Sequence, residues 1–218
     1  MDQRQVWEQL TNKTFSLSAP PQELIDSVRP SGRVLDIGCG YGRIMRTLST
    51  AHGPTVIGVD VASGMLRRAR AEGVESPLAV MRAEALGLAD ASFELVTLVA
   101  VLTAVAYEAA VRAVLAEAWR VLRPGGALYI GDFLVDPTPE RLPRYEQGLR
   151  ETGEWGMFQL NGAQGGFVRH FEPTDLRRLV RQFYITDWQE QTTRSMNNNP
   201  VRAVALTARK PGPTTESV

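Results

Sequence analysis

The sequence predicts a doubly wound α/β domain built on a mostly parallel, seven-stranded sheet. Short apolar strand signals alternate with helical ones from Arg33 to Asp132, and the first strand runs straight into a glycine-rich turn, Gly38-Cys39-Gly40-Tyr41-Gly42. Strands alternating with helices imply parallel pairing through right-handed crossovers. In such sheets a ligand binds beyond the carboxyl ends of the strands, where strand order reverses. Size and composition agree with this class: 218 residues, 44% hydrophobic and 22% charged, suit one globular domain. A chain of that length buries roughly 70% of its unfolded surface and needs neither disulfide nor metal to hold its core.

Each element has its own signal. Arg33–Ile37 is a short apolar run, and Arg43–Leu48 beyond the glycines is amphipathic. Thr55–Asp60 is β-rich, Ser63 suits the cap of a helix ending near Gly73, and Leu78–Met81 makes a short third strand. Phe93–Val99 is apolar on both faces, as a central parallel strand requires. Apolar residues between Tyr107 and Leu122 recur at helical spacing; Pro124-Gly125-Gly126 ends that helix and releases a strand over Ala127–Gly131. From Phe133 to Phe171 the alternation lapses into a Gly- and aromatic-rich stretch, long enough to be a functional insertion. A helix resumes at Thr174–Phe183, and two strands follow at Tyr184–Thr192 and Pro200–Arg209. Residues 1–30, with Trp7 and Phe15, read as a cap or lid; 31–210 as the folded domain with its insertion at about 133–171; and 211–218 as a flexible tail.

Charge and composition exclude several classes. Lys plus Arg and Asp plus Glu number 24 each, a formal charge of zero, which argues against a nucleic-acid partner. Cys39 is the single cysteine, and His52 and His170 are the only histidines. These are too few for a disulfide framework, a cysteine zinc site or a multi-histidine centre, so no metal is expected. Met1–Gln5 lacks the apolar core of a signal peptide, and the longest apolar stretch, Leu95–Ala106, is broken by Thr97 and Thr103 and is too short to cross a bilayer. The expectation is a cytoplasmic protein without a membrane partner, either monomer or homodimer.

The glycine turn narrows the ligand. A nicotinamide site asks for G-x-G-x-x-G, and Arg43 stands where the last glycine belongs. Asp36, two residues before the first glycine, would repel a pyrophosphate yet suits a ligand carrying an ammonium or sulfonium charge. Asp60 ends the second strand about 20 residues on, where an acid accepts hydrogen bonds from ribose hydroxyls. With lysines only at 13 and 210, no Tyr-x-x-x-Lys pair supports an oxidoreductase.

Val34–Arg43 resembles the first motif of the class I S-adenosylmethionine-dependent methyltransferases. Val56–Asp60 with Ser63-Gly64-Met65-Leu66 resembles their second, and Ala83–Leu86 leading to Phe93–Val96 is similar to their third and fourth. Glu117 and Arg120–Gly126 resemble the segment before strand five in the small "type 11" branch. The resemblance spans about Gly32–Asp132. It implies a Rossmann-like fold, S-adenosyl-L-methionine as cofactor and S-adenosyl-L-homocysteine as product. It further implies methyl transfer by in-line displacement to a small organic acceptor, through oxygen first, with nitrogen or carbon open. By the same resemblance Asp36, Gly38 and Gly40 line the methionine moiety, with Arg43 near its carboxylate. Asp60 holds the ribose, Val61 and Met65 pack on the adenine, Ala83 and Glu84 sit at its edge, and the backbone near Val99 closes the methionine end. Two positions depart from the pattern: Arg82 replaces a common acid, and Thr103-Ala104 replaces a frequent His pair. A non-methylating S-adenosylmethionine-binding protein on the same fold is the alternative.

Methyl transfer asks the protein for alignment and exclusion of water more than for acid–base chemistry. His170, between the insertion and the Thr174 helix, is the candidate base, since imidazole titrates near neutrality. Asp132, just past strand five, is the second candidate, as base or as the group that orients His170. Trp155, Phe158 and Phe167 are expected to wall an apolar acceptor pocket. Cys39 reads as a space-filler, His52 as a loop residue, and the clusters Arg67–Arg70 and Arg177–Arg181 as solvated helix faces.

Overall fold

Two short helices, α1 (Gln3–Gln9) and α2 (Gln22–Asp26), precede β1 (Arg33–Ile37). The chain continues through α3 (Arg43–Leu48), β2 (Thr55–Asp60), α4 (Ser63–Ala71), β3 (Leu78–Val80), β4 (Phe93–Val99), α5 (Leu102–Val105) and α6 (Glu108–Val121). Then come β5 (Leu122–Phe133), α7 (Leu142–Thr152), β6 (Met157–Gln159), β7 (Phe167–Arg169), α8 (Pro173–Leu179), β8 (Tyr184–Arg194) and β9 (Pro200–Arg209). The computed structural model describes residues 3–14, 16–49, 53–160 and 166–212. Phe15, His52 and residues 213–218 of the expected tail lie outside that set.

The seven-stranded sheet runs β3-β2-β1-β4-β5-β9-β8. The first five strands are parallel, while β9 is antiparallel to both β5 and β8. Order reverses between β1 and β4, which are direct neighbours, so the crevice at their carboxyl ends is the place a ligand is expected. The alternating side chains of the strands feed two cores. Leu35, Val96, Leu98, Leu128 and Ile130 face α6 and α8; Val34, Leu95, Ala127 and Tyr129 face α2, α3 and α4. Helix α6 alone buries Val111, Val114, Leu115 and Val121, and each fully buried Val or Leu contributes roughly 1.5–3 kcal/mol.

Several local expectations change. Ser63 is the first residue of α4 rather than its cap: Ala62 occupies the cap position without a side-chain bond. Strand β5 takes up the chain directly from α6 at Leu122, carries Pro124-Gly125-Gly126 within it and extends to Phe133. Asp132 therefore lies inside the strand, held there by pairing with Val204 of β9. The insertion is not structureless, because α7 packs on the β6–β7 hairpin. A Cβ on Gly148 would stand 1.7 Å from the Met157 carbonyl oxygen, so only glycine lets these two backbones meet. The expected lid divides in two. Leu24, Ile25 and Val28, in and just after α2, join the sheet core, whereas Val6, Trp7 and Leu10 of the α1 region pack with Tyr41, Met65, Leu160 and Val168 in a separate cluster.

Candidate active site

The crevice beyond β1, β2 and β4 is a cleft whose floor is the glycine turn. Asp36, Gly38, Gly40, Arg43, Asp60, Val61, Met65, Ala83, Glu84 and Val99 all line it, together with Trp7 of α1. These positions are scattered over some sixty residues of chain, and the parallel register brings them to one place: Asp36 pairs with Gly58 on one side and Thr97 on the other.

Asp36 is 1% exposed. Its Oδ1 accepts the Thr97 hydroxyl at 2.6 Å, while Oδ2 is buried with no partner among the described residues. Burial lifts this carboxyl to about 7 against the pull of the Thr97 hydrogen bond and of Arg43, with the charge of Asp60 adding to the lift. Asp60 is braced by backbone, accepting Gly40 N–H on Oδ2 and Ala62 N–H on Oδ1, both at 2.8 Å. Each oxygen keeps lone-pair capacity toward the cleft. Burial raises the Asp60 carboxyl despite the bonds from Ala62 and Gly40. Gly40 adopts φ +54° and has open space where a Cβ would stand, so its backbone presents an unobstructed edge. Cys39 is buried and its thiol pushed up by burial, which fits its reading as filler.

Helix α1 is tied across this cleft by one carboxylate. Glu8 accepts the Ser63 N–H at 2.7 Å, the Ser63 hydroxyl at 3.0 Å and the Gly64 N–H at 3.0 Å. It thus does for the start of α4 what Ser63 was expected to do. Burial works to raise the Glu8 carboxyl, and the bonds from Gly64 and Ser63 outweigh it, holding it below the usual carboxylate range. The Trp7 indole N–H reaches the Ala104 carbonyl at 3.4 Å. Arg68, expected on a solvated face, donates to the Thr11 and Lys13 carbonyls and covers the Tyr41 ring at 4.1 Å.

A second cavity of about 500 Å³ opens on the other side of Trp7. Its walls include Thr103, Phe133, Phe158, Arg144 and His170. His170 stacks on Phe133 with ring centroids 5.4 Å apart, and Phe158 meets it edge-on at 4.8 Å. Its Nδ1 lies 2.8 Å from the Tyr145 hydroxyl. Burial, with the charges of Arg144 and Arg141, pushes the imidazole well below its usual value.

Asp132 does not orient His170, and it lines neither cavity. Its carboxylate turns inward to accept the Thr103 N–H at 3.1 Å and the Phe133 N–H at 2.8 Å, and burial lifts it to about 7. Trp155 and Phe167 also lie off the cavity wall. The Trp155 indole donates to Glu172, and Phe167 sits against Tyr107. Phe133 and Trp7 take their places beside Phe158. The residues that sequence reasoning missed are Thr97, Glu8, Arg144 and Tyr145. Thr97 alone carried a signal, as a hydroxyl in a strand otherwise almost wholly apolar.

Residues 35–130 match a family model described as a methyltransferase domain. That match runs from β1 into β5 and takes in under half of the 218 residues. Among curated relatives, the chain is 34% identical over 133 residues to the 27-O-demethylrifamycin SV methyltransferase of Amycolatopsis mediterranei (strain S699), covering 58% of this chain and 48% of that protein. It is 29% identical over 197 residues to an O-methyltransferase of Pyrenophora dematioidea, covering 80% of this chain and 70% of that one. The chain thus spans about half the length of the first of these relatives. A solved structure of a methyltransferase from Methanosarcina mazei superposes with TM-score 0.82 at 24% identity, over 89% of this chain and all of that one, which establishes the shared Rossmann-like fold. No helix among the described residues is long and apolar enough to cross a membrane.

Proposed function

We propose that this protein is a methyltransferase that moves a methyl group from S-adenosylmethionine to an oxygen of a small organic acceptor held in the second cavity. The observation that carries this reading is the buried Asp36 Oδ2, a carboxylate oxygen on the wall of the cleft with no partner among the described residues. A lone buried carboxylate is costly unless a cation meets it, and the cofactor's ammonium is such a cation. Gly38 and Gly40 would offer backbone beside the methionine moiety, and Arg43 would meet its carboxylate. Asp60 would accept the ribose hydroxyls, Val61 and Met65 would pack on the adenine, and Ala83, Glu84 and Val99 would complete the enclosure.

When bound, the cofactor supplies an electrophilic methyl group on a sulfonium. The chain's own residues align and enclose. Trp7 lines both the cleft and the cavity, which keeps bulk water from the space between them, and His170 presents its ring edge to the acceptor. A cavity of about 500 Å³ lies within the range typical of small-molecule sites. The names of the two curated relatives support oxygen as the acceptor atom. Cytoplasmic location, a monomeric or homodimeric state and the absence of a nucleic-acid partner belong to the same reading, supported by the zero formal charge and single buried cysteine.

The test is calorimetric titration with S-adenosylhomocysteine and, in parallel, NAD. Micromolar binding of the first alone is expected. Binding of NAD, or silence with S-adenosylhomocysteine, would overturn the assignment.

A further inference from the structure

The second cavity holds a positive charge that methyl transfer to a neutral alcohol or amine does not explain. Arg141 and Arg144 both line it, and among the described residues no Asp or Glu does. Arg141 is committed elsewhere, to the Asp136 carboxylate and the Pro200 carbonyl. Arg144 makes no ion pair among the described residues. Its guanidinium lies 4.1 Å from the Phe158 ring centroid and 4.8 Å from that of Tyr145. It donates one Nη2–H to the Tyr145 hydroxyl at 2.9 Å, and its Nε–H is buried without a partner among the described residues. A planar guanidinium with unused donors and no counter-ion, set among aromatic rings, matches the fork of an organic carboxylate or an acidic phenol.

His170 points the same way through its hydrogen bonding. The Tyr145 hydroxyl accepts from Arg144 and, at 3.5 Å, from the Asp136 N–H, so its single proton is left for His170 Nδ1 at 2.8 Å. In the neutral ring the remaining proton then sits on Nε2. That nitrogen has no partner among the described residues, and the ring lines the cavity. His170 therefore offers the acceptor an N–H rather than a lone pair. Such a group holds an anionic oxygen; it does not remove a proton.

Resting on the methyl-transfer reading, we propose that the acceptor is an organic acid whose anionic oxygen is held jointly by the Arg144 guanidinium and the His170 Nε2–H. The step then balances without a base. The anionic oxygen forms the new O–C bond as the S–C bond breaks, and the electron pair of the broken bond stays on sulfur. The negative oxygen and the positive sulfonium both become neutral, and no proton moves. Arg144 and His170 act as binding groups that fix the oxygen's position; the expected base is dispensable because the acceptor arrives already ionised.

The experiment is titration of 2-naphthoate and its uncharged counterpart 2-naphthamide into the protein, with and without S-adenosylhomocysteine, with 4-nitrophenolate as the phenolic probe. An acidic probe should bind roughly 10- to 100-fold more tightly than the amide, as charged hydrogen bonds imply. Whether naphthoate or nitrophenolate gains more says which kind of acid the cavity prefers. Arg144→Gln should erase the preference and Arg144→Lys should restore part of it, with S-adenosylhomocysteine affinity unchanged in both. Equal binding of acid and amide to the unaltered protein, no binding of either acid at millimolar concentration, or a preference that survives Arg144→Gln would overturn the proposal. Failure of S-adenosylhomocysteine to bind while the preference persists would remove the methyl-transfer reading and leave the anion site standing.

Discussion

Replacing Asp36 with asparagine should make the cofactor-free protein more stable and its grip on S-adenosylhomocysteine weaker. Asparagine is nearly the same size, its Oδ1 can still accept the Thr97 hydroxyl, and its amide group replaces an oxygen that already lacks a partner among the described residues. What it removes is ionisation. The Asp36 carboxyl moves from 3.8 in the open chain to about 7 in the fold, so the folded state holds this proton more tightly. The associated stability is fully present below about pH 4 and is lost as pH rises to about 7, and asparagine avoids that loss. At 1.36 kcal/mol per pH unit the ceiling at pH 8 is about 4 kcal/mol, and local relaxation leaves roughly half. For a chain of this size that is a rise in Tm of roughly 4–10 °C at pH 8, shrinking toward zero near pH 4. Affinity for S-adenosylhomocysteine should fall about 10- to 100-fold with the charged hydrogen bond to its ammonium. The assays are thermal unfolding across pH 4–8 and calorimetric titration at pH 8. A variant that is destabilised equally at every pH, or that binds with unchanged affinity, would refute the placing of an uncompensated buried charge at this position.

Two further outcomes are expected. Glu8→Ala removes three hydrogen bonds from the start of α4 and should cost about 1–2 kcal/mol of local stability, read as faster proteolysis within residues 11–14; an unchanged cleavage rate would mean that the apolar contacts of α1 and the bonds made by Trp7 and Arg68 hold it without Glu8. Nitrogen-15 NMR of the histidines should find His170 neutral at pH 7 with its proton on Nε2, as the Tyr145 bond and burial require. A charged ring, or a proton on Nδ1, would return His170 to the role of base.

The parallel half of the fold was legible because its signals are local. β1, β2, β4 and α3 fall where alternation and the glycine turn place them, and the cleft residues come together because parallel register aligns strand ends that each carry their own motif. What escaped was set by partners distant in sequence. Asp132 reads as a loop residue until pairing with β9 carries β5 past it. The capping of α4 by Glu8 spans 55 residues and leaves no spacing to detect. Helix α7 buries only Tyr145 and Gly148, too few apolar positions to show a helical period, so Arg144 and Tyr145 were hidden in what read as an irregular stretch. The proposed acceptor side is thus built from the part of the chain with the weakest pattern.

Trp7 is a wall common to two chambers, carried on a seven-residue helix. Traffic through the two chambers cannot be scheduled separately. On the proposed function, a swing of α1 wide enough to release the spent cofactor would also unseal the methylated product, and fresh cofactor would enter behind the indole only with the acceptor's seat exposed to solvent. The carboxylate of Glu8, together with the Trp7–Ala104 bond and the Arg68 bonds to Thr11 and Lys13, would then set the tempo for loading and emptying alike.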